Sequence, residues 1–141
     1  MDAWKVAVVD GQGGGLGKAL IEKLRQVHQK KIHITGLGTN SIATAAMLQA
    51  GADAGATGEN AIRVTAPKMD VIMGALGILA ADAMMGEITP AIAQAVAQAD
   101  VPKILLPINR CGLTVVGLRD LPFSGCLEEA ARAMGLLLSA R

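Results

Sequence analysis

A glycine-rich loop beside an aspartate is the stretch of this chain best suited to chemistry. Asp10 follows a short apolar strand, and residues 11–17 read GQGGGLG before a helix begins. Glycine lets a backbone approach a phosphate closely, and a helix start offers unpaired N–H groups and a positive dipole end to an anion. The loop therefore predicts binding of a nucleotide or a phosphorylated metabolite. The contact residues predicted here are Asp10, Gly11, Gln12, Gly13, Gly14, Gly15 and Leu16.

The glycine spacing separates several known loop types. GxGxxG does not fit because Leu16 stands at the third glycine, whereas GxxxGxG fits through Gly11, Gly15 and Gly17. That spacing resembles the loop of short-chain dehydrogenases, but their mechanism is excluded because the chain contains no tyrosine. A phosphate-loop NTPase is a near miss, since alanine follows Lys18 where serine or threonine is required.

Asp10 is the unusual residue of the loop, because a carboxylate repels a bound phosphate. In order of preference, it anchors the loop through backbone N–H groups, accepts a ligand hydroxyl, or holds Mg²⁺ against a phosphate. Arg110 is the natural cation on the opposite lip of the crevice, with a surface salt bridge as its alternative. An enzyme using Asp10 and Arg110 as catalytic residues, with Mg²⁺, on a nucleotide or sugar phosphate is the alternative to simple binding.

Alternating strands and helices must position these residues. The pattern predicts one Rossmann-like domain over residues 1–141, an α/β fold with a doubly wound, mostly parallel sheet of five or six strands and helices on both faces. The predicted strands are 6–9, 31–35, a short one within 52–60, 70–76, 103–108 and a short edge strand at 114–116. The predicted helices are 15–29, 41–49, one ending at Pro67, 90–98 and 124–138.

Ligands of such sheets bind beyond the carboxyl ends of the strands, so the strand tips should share one crevice. The further contact residues predicted at these tips are Gly36, Gly38, Thr39, Asn40, Gly74, Asn109 and Arg110. A dinucleotide site usually has an acid at the end of the second strand, and none is present there, which weakens the case for NAD(P). Thr39, Asn40 and Ser41 hold a ribose or phosphate by neutral hydrogen bonds, or one of them caps the next helix.

Several residues allow a structural or a functional interpretation. Thr57 is a predicted helix cap, and Glu59 with Asn60 either serves the helix start or faces the crevice. Thr89 and Pro90 predict a helix start, and Ser124 predicts another.

No metal site or nucleophile is predicted. His28 and His33 are not spaced as metal ligands. Cys111 is interpreted as an ordinary buried cysteine rather than a nucleophile, because no histidine base is placed beside it.

Composition excludes some classes of protein. A net charge of +1, one Trp, one Phe and no Tyr argue against nucleic-acid binding. The start shows no signal peptide, and the apolar run 71–81 is too short to span a membrane. Two cysteines suggest a reduced, cytoplasmic setting. The apolar content of 52% predicts a homo-oligomer, a dimer or larger.

Five segments in order carry a resemblance: VVDGQGGGLGKALIEKL, GLGTN, AGADAGATGENAI, MGEITPAIA and KILLPINRC. Together they resemble a family of short bacterial proteins catalogued as a domain of unknown function, number 3842. The resemblance implies a small Rossmann-like cytoplasmic protein with no assigned activity. Sensing, carrying or a subunit role in a complex would all suit a binding protein, and a third hypothesis is an interaction module whose glycine loop is a relic.

Overall fold

The structure, a computed structural model, describes residues 2–108 and 111–140. Its strands are β1 (Trp4–Asp10), β2 (Ile32–Gly38), β3 (Ala54–Thr57), β4 (Val71–Ala75) and β5 (Lys103–Leu106). Its α-helices are α1 (Gly15–His28), α2 (Ser41–Ala50), α3 (Glu59–Thr65), α4 (Pro90–Gln98) and α5 (Phe123–Ala140). Short 3₁₀ turns cover Gln29–Lys31, Ala66–Lys68 and Leu76–Leu79.

The strands form one parallel sheet in the order β3-β2-β1-β4-β5. Asp10 pairs with Gly38 of β2, and Val9 pairs with Gly74 of β4, so the ends of these three strands lie side by side. This arrangement confirms the predicted Rossmann-like α/β fold.

Helices cover both faces of the sheet, which explains why residues 6–9 of β1 are all apolar. Val6 and Val8 pack on the layer that contains α1, α2 and α5. Ala7 and Val9 pack on the layer that contains α3 and α4. All four side chains are fully buried, as expected for a central parallel strand.

Two predicted helix starts are confirmed and two are wrong. The Asn40 side chain caps α2, and Thr89 caps α4 with Pro90 in its first turn. Thr57 does not cap α3, because Gly58 takes that position and the Thr57 hydroxyl lies 2.7 Å from the Thr44 hydroxyl. Ser124 lies inside α5 rather than before it, since that helix begins at Phe123.

The predicted edge strand at 114–116 is also wrong. Residues 111–122 form turns and irregular backbone on the surface, and the sheet has five strands within the described residues. The β-branched residues Thr114, Val115 and Val116 suit a strand, but they form no ladder with β5. None of the helices in the described ranges is long and apolar enough to cross a membrane.

Candidate functional site

The topological switch point of the sheet lies between β1 and β4. The chain runs from β1 outward through β2 to β3 and then crosses to β4 on the other side. Crevices open at such points beyond the carboxyl ends of the strands. The structure therefore brings Asp10, the glycine loop, Gly38 and Gly74 to one edge, as the sequence predicted. Asn109 and Arg110 lie outside the described residues.

Asp10 holds the glycine loop in place. It is 4% exposed, and its Oδ1 accepts a hydrogen bond from the Gly11 N–H at 2.8 Å. Its Oδ2 accepts one from the Gly17 N–H at 2.6 Å. Burial raises the pKa of Asp10 despite these two donors, and the nearby charge of Glu87 raises it further. The first of the three interpretations of Asp10, that it anchors the loop, agrees with these contacts.

Three glycines of the loop are required by close packing. At Gly14, φ is 77° and an added Cβ would lie 2.8 Å from the Ala43 Cα atom in α2. At Gly17, a Cβ would lie 2.8 Å from the Met47 Sδ atom. At Gly11, a Cβ would meet the Thr39 hydroxyl at 2.7 Å. These positions need glycine to fit the protein, whether or not a ligand binds.

Gly13 and Gly15 are different, because they face open space. A Cβ at either position would meet no atom within 4 Å, and both residues are exposed. Within residues 2–108 and 111–140, the N–H groups of Gly13, Gly15 and Leu16 have no hydrogen-bond acceptor. Uncovered N–H groups at a helix start form a site for an anion.

A cleft lies over this open part of the loop. Its volume is about 290 Å³, and its lining continues from the loop to Ile108 after β5 and to Phe123 at the start of α5. Other surface depressions of the molecule are larger, but this one lies at the switch point. The cleft thus offers backbone donors on one side and apolar side chains on the other.

Glu87 lies in the segment between β4 and α4. Its side chain contacts residues that follow β1 and β2, at the same edge of the sheet as the glycine loop. Its Oε1 accepts hydrogen bonds from the Gln12 N–H at 2.9 Å, the Thr39 hydroxyl at 2.6 Å and the Asn40 side-chain amide at 2.8 Å. The Thr39 hydroxyl, followed by the Gln12 N–H, lowers the pKa of Glu87. The carboxylate is therefore ionised at neutral pH.

Sequence reasoning missed Glu87. Glu87 belongs to MGEITPAIA, one of the five segments that carry the family resemblance, and it stands one residue before Ile88 and two before the Thr89 cap. This position was the only signal at Glu87 in the sequence. Nothing local in that segment shows that it folds back over the end of β1.

The predicted contacts at the β2 tip are already used within the protein. The Asn40 Oδ1 accepts from the Ala43 N–H at 2.9 Å, and its Nδ2 also donates to the Gln12 carbonyl at 2.9 Å. The Thr39 N–H donates to the Asp10 carbonyl at 3.0 Å. The capping interpretation of this segment is confirmed for Asn40.

The predicted glycines at the neighbouring strand ends make packing contacts. A Cβ at Gly36 would lie 2.9 Å from the Met47 Cβ atom, and one at Gly74 would lie 2.7 Å from the Val9 carbonyl oxygen. A Cβ at Gly38 would collide with the Thr44 hydroxyl. These three glycines allow close contact between the strands and α2 or β1.

Other candidate residues do not converge on the cleft. Glu59 accepts a hydrogen bond from the Thr89 hydroxyl at 2.6 Å, and Asn60 accepts one from Arg63 at 3.3 Å. His28 is buried with its Nε2 atom 2.8 Å from the Ala131 carbonyl oxygen. No group of three His, Cys, Asp or Glu side chains in the described part of the chain is arranged to hold a metal ion.

Cys111 corrects one expectation. It was predicted to be buried, but it is exposed and has a φ of 51° in the turn after β5. Cys126, in α5, is the buried cysteine, and neither residue forms a disulfide.

The fold and the glycine loop together define a Rossmann-like protein with an open helix start at its switch point. Residues 5–138 match the family described as Domain of unknown function (DUF3842). The chain belongs to this family, which confirms the resemblance seen in its sequence. No curated protein and no solved structure is significantly similar to the chain.

Proposed function

We propose that this protein binds a nucleotide or a phosphorylated metabolite at the glycine loop, in a binding, sensing or carrying role. The observation that supports this most is the set of uncovered N–H groups of Gly13, Gly15 and Leu16, which line the switch-point cleft. A phosphate oxygen accepts hydrogen bonds from such groups and interacts favourably with the positive end of α1.

The electrostatics of the loop favour this proposal. The first turn of α1 contains no acidic residue. The carboxylate of Asp10 is buried against its own two N–H donors, so it does not face a ligand as a free charge. A nucleotide, a dinucleotide such as NAD(P) and a sugar phosphate all carry the phosphate that this loop would bind, and Mg²⁺ would accompany a polyphosphate.

The alternative proposal, an enzyme that uses Asp10 and Arg110, has less support. Both oxygens of Asp10 already accept hydrogen bonds, so catalysis by this residue would require the loop to release it. Asp10→Asn separates the two proposals: a binding protein should keep its ligand, while an Asp10-dependent enzyme should lose turnover. An interaction module with a relic loop would bind no phosphorylated ligand at all.

A thermal-shift screen tests the proposal directly. NAD, NADP, FAD, ATP, GTP, AMP and sugar phosphates are each added with and without Mg²⁺. A ligand at about 100 times its Kd stabilises the fold by about 2.7 kcal/mol, a shift of several degrees. Gly13→Val should abolish the shift without lowering the melting temperature of the free protein, because a side chain at Gly13 fills only open space.

Ala97→Val is the matched control for that variant. Ala97 is an exposed residue of α4, far from the loop in the chain, so the same final side chain should leave ligand binding unchanged there. If no ligand in the panel shifts the melting temperature, the binding proposal fails and the interaction-module hypothesis gains support.

We also propose that the protein acts as a homo-oligomer in the cytoplasm. Leu113, Val115 and Leu118 are each exposed by more than 40%, and Val116 is 95% exposed. Apolar side chains concentrated in one segment are typical of an interface, here next to the edge strand β5. Val116→Asp should shift the mass measured by light scattering toward that of a monomer.

The cytoplasmic location has a separate basis. Cys111 and Cys126 form no disulfide, which suits a reducing compartment.

A further inference from the structure

The space beside the glycine loop differs between its two sides. On the side toward β2, other residues of the protein fill it. A Cβ at Gly11 would lie 3.1 Å from the Glu87 Oε1 atom and 3.1 Å from the Met84 Sδ atom. The loop glycines that border open space are Gly13 and Gly15. The segment between β4 and α4 therefore covers the first residues of the loop.

The hydrogen-bond donors on the β2 side are used by Glu87. Its Oε1 atom accepts from the backbone of Gln12 and from the side chains of Thr39 and Asn40. In a dinucleotide site, the tip of the second strand receives the hydroxyl groups of a ribose while the glycine loop binds the pyrophosphate. In such a site an acidic residue accepts those hydroxyl groups, whereas here the Glu87 Oε1 atom already accepts three hydrogen bonds from the protein itself. The charge of Glu87 also opposes a second phosphate nearby.

We propose that Glu87 is a specificity-determining residue that closes the β2 half of the crevice and confines the ligand to the half bounded by Ile108 and Phe123. This inference rests on the proposed function and narrows it. The ligand class becomes a small metabolite with one phosphate group, whose remaining atoms contact the two apolar side chains. A cleft of about 290 Å³ agrees with this class, because it is just smaller than the sites that hold drug-sized ligands, roughly 300–1,000 Å³.

Calorimetric titration of three probes tests the inference: inorganic phosphate, glycerol 3-phosphate and NAD. The wild-type protein should bind both small phosphates and should bind NAD at least about tenfold more weakly than glycerol 3-phosphate. Glu87→Ala should raise the affinity for NAD by about tenfold or more and leave that for glycerol 3-phosphate within about threefold. Glu22→Ala removes an exposed carboxylate from α1 and should change neither affinity.

Glu87→Gln keeps the test decisive if the alanine variant fails to fold. Its amide oxygen can still accept from Gln12, Thr39 and Asn40, so the β2 half should stay closed and NAD should remain the weaker ligand. High-affinity binding of NAD by Glu87→Gln would show that these hydrogen bonds do not close the β2 half, and it would overturn the inference.

The remaining outcomes are distinct. Tight NAD binding by the wild type that is lost in Glu87→Ala would make Glu87 a ribose acceptor and overturn the inference while leaving the proposed function intact. Equal loss of all three probes in a folded Glu87→Ala would reduce Glu87 to a structural support. Failure of the wild type to bind any probe would overturn this inference, and failure throughout the wider ligand screen would overturn the proposed function as well.

Discussion

The two halves of the glycine loop show how one short motif can serve the fold and a ligand at the same time. On the β2 side, Gly11 and Gly14 are glycines because Thr39 and Ala43 leave no room for a side chain. On the β5 side, Gly13 and Gly15 are glycines although nothing in the described protein occupies the space beside them. Packing does not explain why these two residues lack side chains. Glycine at such positions would let a ligand approach the backbone closely.

Long-range contacts build the closed half, whereas local backbone builds the open half. Gln12 illustrates the boundary, because its N–H donates to Glu87 and its carbonyl accepts from Asn40, which together hold it at a φ of 50°. The next residue, Gly13, makes no such bond within the part of the chain that the structure describes. Neighbouring residues of the loop therefore face the closed half and the open half in turn.

The largest predicted effect compares Gly14→Val with Gly13→Val. Valine at Gly14 requires a positive φ and overlaps the α2 backbone at Ala43, so the free energy of unfolding should fall by about 2–5 kcal/mol. Valine at Gly13 should change it by less than about 1 kcal/mol. Urea denaturation of both variants measures the difference. Equal destabilisation would show that the open half is also required for packing, which would break the comparison.

Removal of the Asp10 carboxylate is the next largest effect. Asp10→Ala leaves the N–H groups of Gly11 and Gly17 buried without an acceptor, so the free energy of unfolding should fall by about 2–4 kcal/mol. Asp70 is a matched control, because it also accepts a backbone hydrogen bond, from the Lys5 N–H at 2.8 Å, but in an exposed place. Asp70→Ala should cost less than about 1 kcal/mol.

A smaller effect should depend on pH and report on Glu87. Its hydrogen bonds lower its pKa from 4.5, so its stabilising contribution is complete above that pH and is lost as the pH falls through the lower pKa of the folded state. Glu87→Gln should therefore lower the free energy of unfolding by about 0.5–2 kcal/mol at pH 7. The gap between variant and wild type should narrow in acid below pH 4.5. Thermal unfolding from pH 3 to 7 measures this gap, and a gap that widens toward acid would contradict the assignment.

The sequence predicted most of this architecture because the relevant signals are local. The apolar run of β1, the Asn40 cap and the Thr89 and Pro90 helix start each depend on neighbouring residues. The irregular segment at 114–116 was mistaken for a strand because three β-branched residues do not by themselves supply a partner strand.

The site was predictable only in its local half. The glycine spacing marked Gly13 and Gly15, and the fold explains why they lie at the switch point. Glu87 is 75 residues from Gln12 in the chain, and its role depends on a segment with positive φ at Asp82, Met84 and Met85. Single-sequence patterns do not report how such a segment folds back, so its contact with the loop needed the structure.

The smallest predicted change in stability lies at the open edge of the cleft and should have its main effect on the ligand. Phe123 begins α5 and is 44% exposed, so Phe123→Ala should change the free energy of unfolding by less than about 1 kcal/mol. Loss of its ring from the cleft should weaken glycerol 3-phosphate binding by severalfold, because the carbon portion of the ligand would lose an apolar contact. Leu136→Ala, which removes a 68% exposed side chain elsewhere on α5, should alter neither quantity. Calorimetric titration of both variants with inorganic phosphate, which has no carbon portion, sharpens the comparison further. The affinity for inorganic phosphate should be nearly unchanged in Phe123→Ala. An equal loss of affinity for both probes would mean that Phe123 supports the loop rather than the ligand.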